Sequence, residues 1–213
     1  MRKVFNFCLL LITSALLLSN CSEAPVYPET PQISFESMER YSAGDSIILT
    51  LEFKDGDGDL GLSDEETSFP YQEYDFVKDG FGNYVEINSS GSNPPFNCLD
   101  YLIGDYNPDP LSDTVLIERN PNYFNYHIDV WVKQSNSSFT KFDFSPFCSD
   151  YNSRFPILNT KSEKGPIEGS LSYTIKDLAA LGLANETVKF TVYIIDRVLH
   201  KSNTVETPEI LID

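Results

Sequence analysis

The chain has 213 residues, 41% of them hydrophobic and 13% aromatic, with 13 prolines and 11 glycines, so a core can be buried and wholesale disorder is excluded. Its 15 Lys and Arg stand against 32 Asp and Glu, a formal net charge of -17, which argues against nucleic acid or anionic lipid headgroups as partners. The first 21 residues hold Arg2 and Lys3 and no acid, so the remainder is more acidic still.

The basic start runs into an apolar stretch, residues 4–18, broken only by Asn6, Thr13 and Ser14. That is short of the roughly 20 apolar residues a membrane-spanning helix needs and suits the core of a secretory signal. No second apolar stretch follows, so the expectation is that nothing in the mature chain spans a bilayer. The run ends in Leu18-Ser19-Asn20-Cys21, which resembles the bacterial lipobox, with Asn20 where Gly, Ala or Ser is usual. The resemblance implies a signal peptide over residues 1–20, cleavage before Cys21, and acylation of its thiol and new amine. Ordinary secretion with an unmodified Cys21 is the alternative. Several acyl chains at roughly 0.8 kcal/mol per buried methylene make such an anchor durable. Ser22 in place of Asp favours outer-membrane lipid by analogy with lipoprotein sorting, on the periplasmic or the surface face. Residues 21–31, with Pro25, Pro28 and Pro31, read as a stiffened tether. The ten residues after Cys21 reach roughly 33 Å.

The body, residues 32–213, alternates with period two. In residues 46–53, Ile47, Leu49, Leu51 and Phe53 share one face and Ile48, Thr50 and Glu52 the other, a half-buried strand. Residues 126–133 alternate as well, and Asn136-Ser137-Ser138 turns them into a second strand over 139–144. Residues 167–175 and 188–194 are further strands; residues 32–35, 83–87, 114–118 and 204–212 carry weaker signals. Only residues 177–183 look helical, with Asp177 as N-cap and Gly182 as terminator. The expected fold is therefore all-β, an immunoglobulin-like antiparallel sandwich forming a single domain. The pattern loosens over residues 63–122, and the stretch 88–113 is dense in Asn, Ser, Pro, Gly and Asp, which reads as a long loop-rich insertion.

The most pointed motif is Lys54-Asp55-Gly56-Asp57-Gly58-Asp59-Leu60-Gly61. Carboxylates at alternate positions repel by about 1 kcal/mol per pair at 4 Å even in water, and interleaved glycines let the backbone wrap what lies among them. Ca²⁺ takes six to eight oxygens and would relieve that repulsion. In EF-hand numbering the aspartates fall at places one, three and five and Glu66 at twelve, but Leu60 replaces the required glycine and a strand enters, so any calcium loop here is of another kind. The competing expectation is a solvated acidic turn. If residues 46–53 form the second strand of the sandwich and 188–195 the sixth, both end at one pole, where Asp196 would complete the coordination shell or Arg197 would neutralise the aspartates in place of a metal.

These residues also carry a wider resemblance. Pro31-Gln32-Ile33-Ser34-Phe35, the acidic loop with its entering strand, Gly165-Pro166-Ile167-Glu168-Gly169, and Asp196-Arg197 with Lys201-Ser202-Asn203-Thr204-Val205 resemble the uncharacterised lipoproteins abundant in Bacteroidota. The resemblance implies outer-membrane anchoring and an Ig-like domain, and it brings no activity with it. Asp45-Ser46-Ile47 and Asp113-Thr114-Val115 resemble the Asp-Ser/Thr-aliphatic acceptor for O-glycosylation of such bacteria, marking Ser46 and Thr114.

With Cys8 in the signal and Cys21 at the lipid site, Cys98 and Cys148 form an exported pair suited to a disulfide. Two histidines, His127 and His200, give little material for a zinc site or a Ser-His-Asp triad, and no phosphate-binding glycine loop is present. Trp131, with Tyr71, Tyr74, Tyr101, Tyr106, Tyr123 and Tyr126, could furnish stacking for sugars, and Asp64, Glu65 and Glu66 could supply a hydrolase carboxylate pair. The expected function is a non-catalytic, lipid-anchored binding or structural module for a protein or glycan partner, stabilised by Ca²⁺. The alternatives are a glycan-binding accessory to carbohydrate uptake and, less favoured, a carboxylate-dependent hydrolase.

Overall fold

A computed structural model describes residues 25–41, 46–89, 93–104, 113–160 and 164–212. The signal segment, Cys21 and Tyr106 lie outside these. One sheet has the order β1-β2-β8, from β1 (Gln32–Tyr41), β2 (Ser46–Asp55) and β8 (Ile167–Lys176). The other has the order β10-β9-β6-β7, from β6 (Tyr126–Lys133), β7 (Phe139–Lys141), β9 (Thr187–Ile194) and β10 (Val205–Glu206), with β11 (Ile210–Leu211) also on β9. All pairings are antiparallel. The chain is an all-β sandwich, and three strands facing a five-stranded sheet in this order make it immunoglobulin-like.

The core follows from period-two alternation, which sends successive side chains to opposite faces. Ile47, Leu49, Leu51 and Phe53 of β2 point inward, as do Val188, Phe190, Val192 and Ile194 of β9, and all are buried. Ile128 and Val130 of β6 and Ile175 of β8 complete the layer between the sheets. Burying such side chains stabilises by about 1.5–3 kcal/mol each.

Between β2 and β6 the chain leaves the sandwich and returns. This excursion contains a small antiparallel sheet of its own, β3 (Tyr74–Phe76), β4 (Tyr101–Gly104) and β5 (Asp113–Arg119), in the order β3-β5-β4. Tyr101, Val115 and Ile117 are its buried centre. Cys98 and Cys148 are joined, with Cα atoms 5.0 Å apart, tying the excursion to the segment after β7.

The helix expected over 177–183 is present only as one wide π-type turn, Ala179–Leu183. β8 runs through Lys176, Asp177 takes a left-handed backbone (φ 62°), and the N-cap falls at Leu178 instead of Asp177. The turn is closed by the Leu183 N–H on the Leu178 carbonyl at 3.1 Å, and Gly182 (φ 86°) breaks it. Too few residues separate β8 from β9 for a longer helix to repay its nucleation.

Candidate metal centre

Alternation also builds the site. In β2 the inward positions run Ile47, Leu49, Leu51, Phe53 and then Asp55; in β9 they run Val188 through Ile194, and the next inward place is Asp196. Each sheet thus ends its apolar column in a buried aspartate, 0% exposed for Asp55 and 2% for Asp196. The two ends share a pole. Asn203, just past the Asp196 turn, donates from Nδ2 to the Ile33 carbonyl and accepts from the Ile33 N–H, both at 2.8 Å, and Ile33 pairs with Phe53.

Beyond Asp55 the chain wraps. The Asp59 N–H donates to Asp55 Oδ2 at 3.1 Å, and one carboxylate oxygen from each of Asp55, Asp57 and Asp59 lies within 4.8 Å of the others. Gly58 (φ 73°) and Gly61 (φ 103°) need the left-handed region, and a Cβ on Gly61 would run into the Pro156 carbonyl. The loop is clasped from outside by backbone hydrogen bonds: Gly165 N–H to the Asp57 carbonyl (3.1 Å), Leu158 N–H to Leu60 (3.0 Å) and Leu62 N–H to Phe155 (3.0 Å).

Buried polar atoms in proteins nearly always find a partner. Among the described residues seven buried side-chain nitrogen or oxygen atoms have none, and four belong to these aspartates: Oδ1 of Asp55, Oδ1 of Asp57 and both oxygens of Asp59. Burial, then the charge of Asp57, pushes the Asp55 carboxyl up to about 6; burial, then Asp196 and Asp57, does the same to Asp59 against the opposing Lys164. Acceptors held together without donors fit a hard cation. Two oxygens each about 2.3–2.6 Å from one Ca²⁺ can lie at most about 5.2 Å apart, and the observed grouping satisfies that bound.

Asp196 stands outside this group. Its Oδ1 accepts the N–H groups of Val198 (3.0 Å) and His200 (2.7 Å), and its Oδ2 meets His200 Nδ1 at 2.9 Å. Burial raises its carboxyl and His200 opposes the rise. Asp196 therefore contributes field to the pole, with its own oxygens already engaged. Arg197 is turned to Glu66 at 2.5 Å, and Glu66 Oε2 accepts the Ser63 N–H at 2.7 Å. Neither Arg197 nor Glu66 is paired with the three aspartates, and both oxygens of Glu66 are engaged beside the exposed Asp64 and Glu65.

Trp131 is half-buried on the outer face of β6, its indole N–H donated to Thr191 Oγ1 at 3.0 Å. Among the described residues no aromatic ring stacks on it, and Tyr101 and Tyr126 are buried, so they offer no sugar platform. His127 is buried against Tyr193, ring centroids 4.4 Å apart. Ser46 opens β2 opposite Lys176, and Thr114 lies in the central strand of the small sheet opposite Ile103; both are half-buried.

Two contributors escape sequence reading. Asn125, 1% exposed, donates from Nδ2 to the Phe155 carbonyl (3.1 Å) and accepts the Phe155 N–H (2.8 Å), fixing the segment that clasps the loop. Tyr27 hydrogen-bonds Glu168 at 2.6 Å, and its carbonyl and that of Pro28 crowd Gly56. An isolated Asn before a strand and a Tyr in a proline-rich stretch carry no periodic signal. The chain matches no protein-family model, and neither the curated proteins nor the solved structures contain a match.

Proposed function

We propose that this chain is a non-catalytic, lipid-anchored module of the cell envelope, held to the outer membrane through Cys21, whose sandwich is braced at one pole by Ca²⁺ on Asp55, Asp57 and Asp59. The observation that carries the cation is the set of buried carboxylate oxygens without donors. When bound, the ion supplies charge neutralisation and ties one end of β2 to the segments around it. The excursion between β2 and β6 rises from that braced pole and offers the surface for a protein or glycan partner. A glycan at Trp131 would meet the ring face, since the indole N–H is engaged within the sheet.

The test is the melting temperature of the chain from residue 22 in CaCl₂ and in EDTA, beside Asp57→Ala. A site filled at 100 times its dissociation constant adds about 2.7 kcal/mol, or about 5–10 °C for a domain of this size. Superimposable curves in both solutions would reduce the loop to an acidic turn.

A further inference from the structure

The proline-rich stretch before β1 does not all stand away from the domain. Tyr27 is half-buried and Pro31 buried, the Tyr27 hydroxyl donates to Glu168 Oε2 at 2.6 Å, and Lys54 Nζ lies 5.4 Å from the centre of the Tyr27 ring. The strap crosses the site at one place. A Cβ on Gly56 would collide with the carbonyl oxygens of Tyr27 and Pro28, so the backbone between Asp55 and Asp57 and the backbone of the strap are in direct contact.

Asp55 is fixed by the β2–β8 ladder, where it pairs with Ile167. Asp57 and Asp59 are held to it only through the loop, with the Asp59 N–H on Asp55 Oδ2 and the Asp57 carbonyl on Gly165. With a cation among them the three carboxylates attract a common centre. Without one they repel, and of the two glycine joints between them, Gly56 and Gly58, both with wide backbone freedom, Gly56 is the one lying under the strap. Asp55 makes this more than an acidic patch, because its side chain is fully buried and its Oδ1 faces the group with no partner.

We propose that a cation on Asp55, Asp57 and Asp59 keeps residues 27–31 docked on the sandwich, so that losing it lengthens the free amino-terminal connection. This rests on the cation reading above. With the strap docked, six residue steps lead from Cys21 to Tyr27, a reach of roughly 20 Å. Released as far as Gln32, eleven residue steps reach roughly 36 Å. Cation supply would then set how far the domain stands from its anchor.

The test uses the full-length protein in mild detergent, with CaCl₂ or EDTA in excess. A glutamate-specific protease cuts after Glu29, an exposed residue within the strap, and mass spectrometry follows that cut relative to the one after Glu186 at the far pole; calorimetry measures Ca²⁺ binding in parallel. The expected result is about tenfold faster scission after Glu29 in EDTA, since cleavage tracks the population of the open form. Asp57→Asn, which removes both a ligand and one of the three repelling charges, should be cut at the same rate in both solutions. Tyr27→Ala, which leaves every aspartate in place, should be cut fast in both while still binding Ca²⁺. Calcium binding by calorimetry with equal Glu29 scission in CaCl₂ and EDTA would overturn the strap proposal and leave the cation reading standing. No calcium binding at all would overturn both.

Discussion

The guanidinium of Arg197 lies 2.5 Å from a carboxylate oxygen of Glu66, and the Tyr71 hydroxyl bonds the Arg197 carbonyl. This cation is therefore anchored to the base of the excursion, one turn away from the aspartates it could have neutralised. Arg197→Gln removes a positive charge beside the proposed cation site and should tighten Ca²⁺ binding. The pair is partly exposed, so its loss should cost stability by no more than about 1 kcal/mol. Titration calorimetry and urea unfolding check both; weaker calcium binding in the variant would mean that Arg197 positions a ligand.

Protons offer the metal-free chain another way to relieve its aspartates. The Asp55 and Asp59 carboxyls rise from an ordinary 3.8 to about 6 in the folded chain, so between those values the native state binds more protons than the unfolded one. By linkage the stabilisation is complete below the unfolded value and is lost as pH climbs through the folded one. In EDTA, unfolding free energy should fall on going from about pH 4 to pH 7. In CaCl₂ the trend should reverse, because acid displaces the ion. Parallel urea titrations across that range read the two slopes, and equal slopes would contradict a calcium site.

Asn125 spans β6 and the loop-clasping segment with two hydrogen bonds to the Phe155 backbone. Asn125→Ala leaves the buried Phe155 N–H unpaired, at about 1–3 kcal/mol, while the Phe155 carbonyl keeps the Leu62 N–H. Calcium affinity should drop with stability, since Leu62 and Leu60 are held by Phe155 and Leu158. A variant that melts early yet binds calcium as before would separate the clasp from the site.

The bond between Cys98 and Cys148 closes a separation of 50 residues. Replacing both with alanine should lower stability by up to about 4 kcal/mol in the chain-entropy model. The effect should concentrate in β3, β4 and β5, because Arg119 from β5 also reaches the Leu99 and Cys98 carbonyls beside the bond. Hydrogen exchange should then show the small sheet opening before the sandwich; uniform loss across β2 and β9 would contradict this.

Strands with a buried face were legible in the sequence. β2 and β9 write their burial as strict alternation, β6 and β8 do so with interruptions at His127 and Gly169, and the excursion announced itself by losing it. β3 and β4 were not legible, being three and four residues long and made strands by pairing with β5. β1 extends past the expected Phe35 to Tyr41 because pairing with β2 carries weak sequence through. The three aspartates could be read from spacing alone. The company they keep could not: Asp196 satisfied by its own turn, Arg197 claimed by Glu66, and Asn125 bracing the clasp are all products of tertiary approach.

Asn203 has one more consequence. It takes both the N–H and the carbonyl of Ile33 on the open margin of β1, standing in for the strand that a second molecule would otherwise add. A few residues on, the register slips between Phe35 and Ser37, leaving Glu36 as a bulge. A margin plugged by a side chain and then bent resists templated polymerisation, a hazard that grows when many copies are confined to a two-dimensional surface.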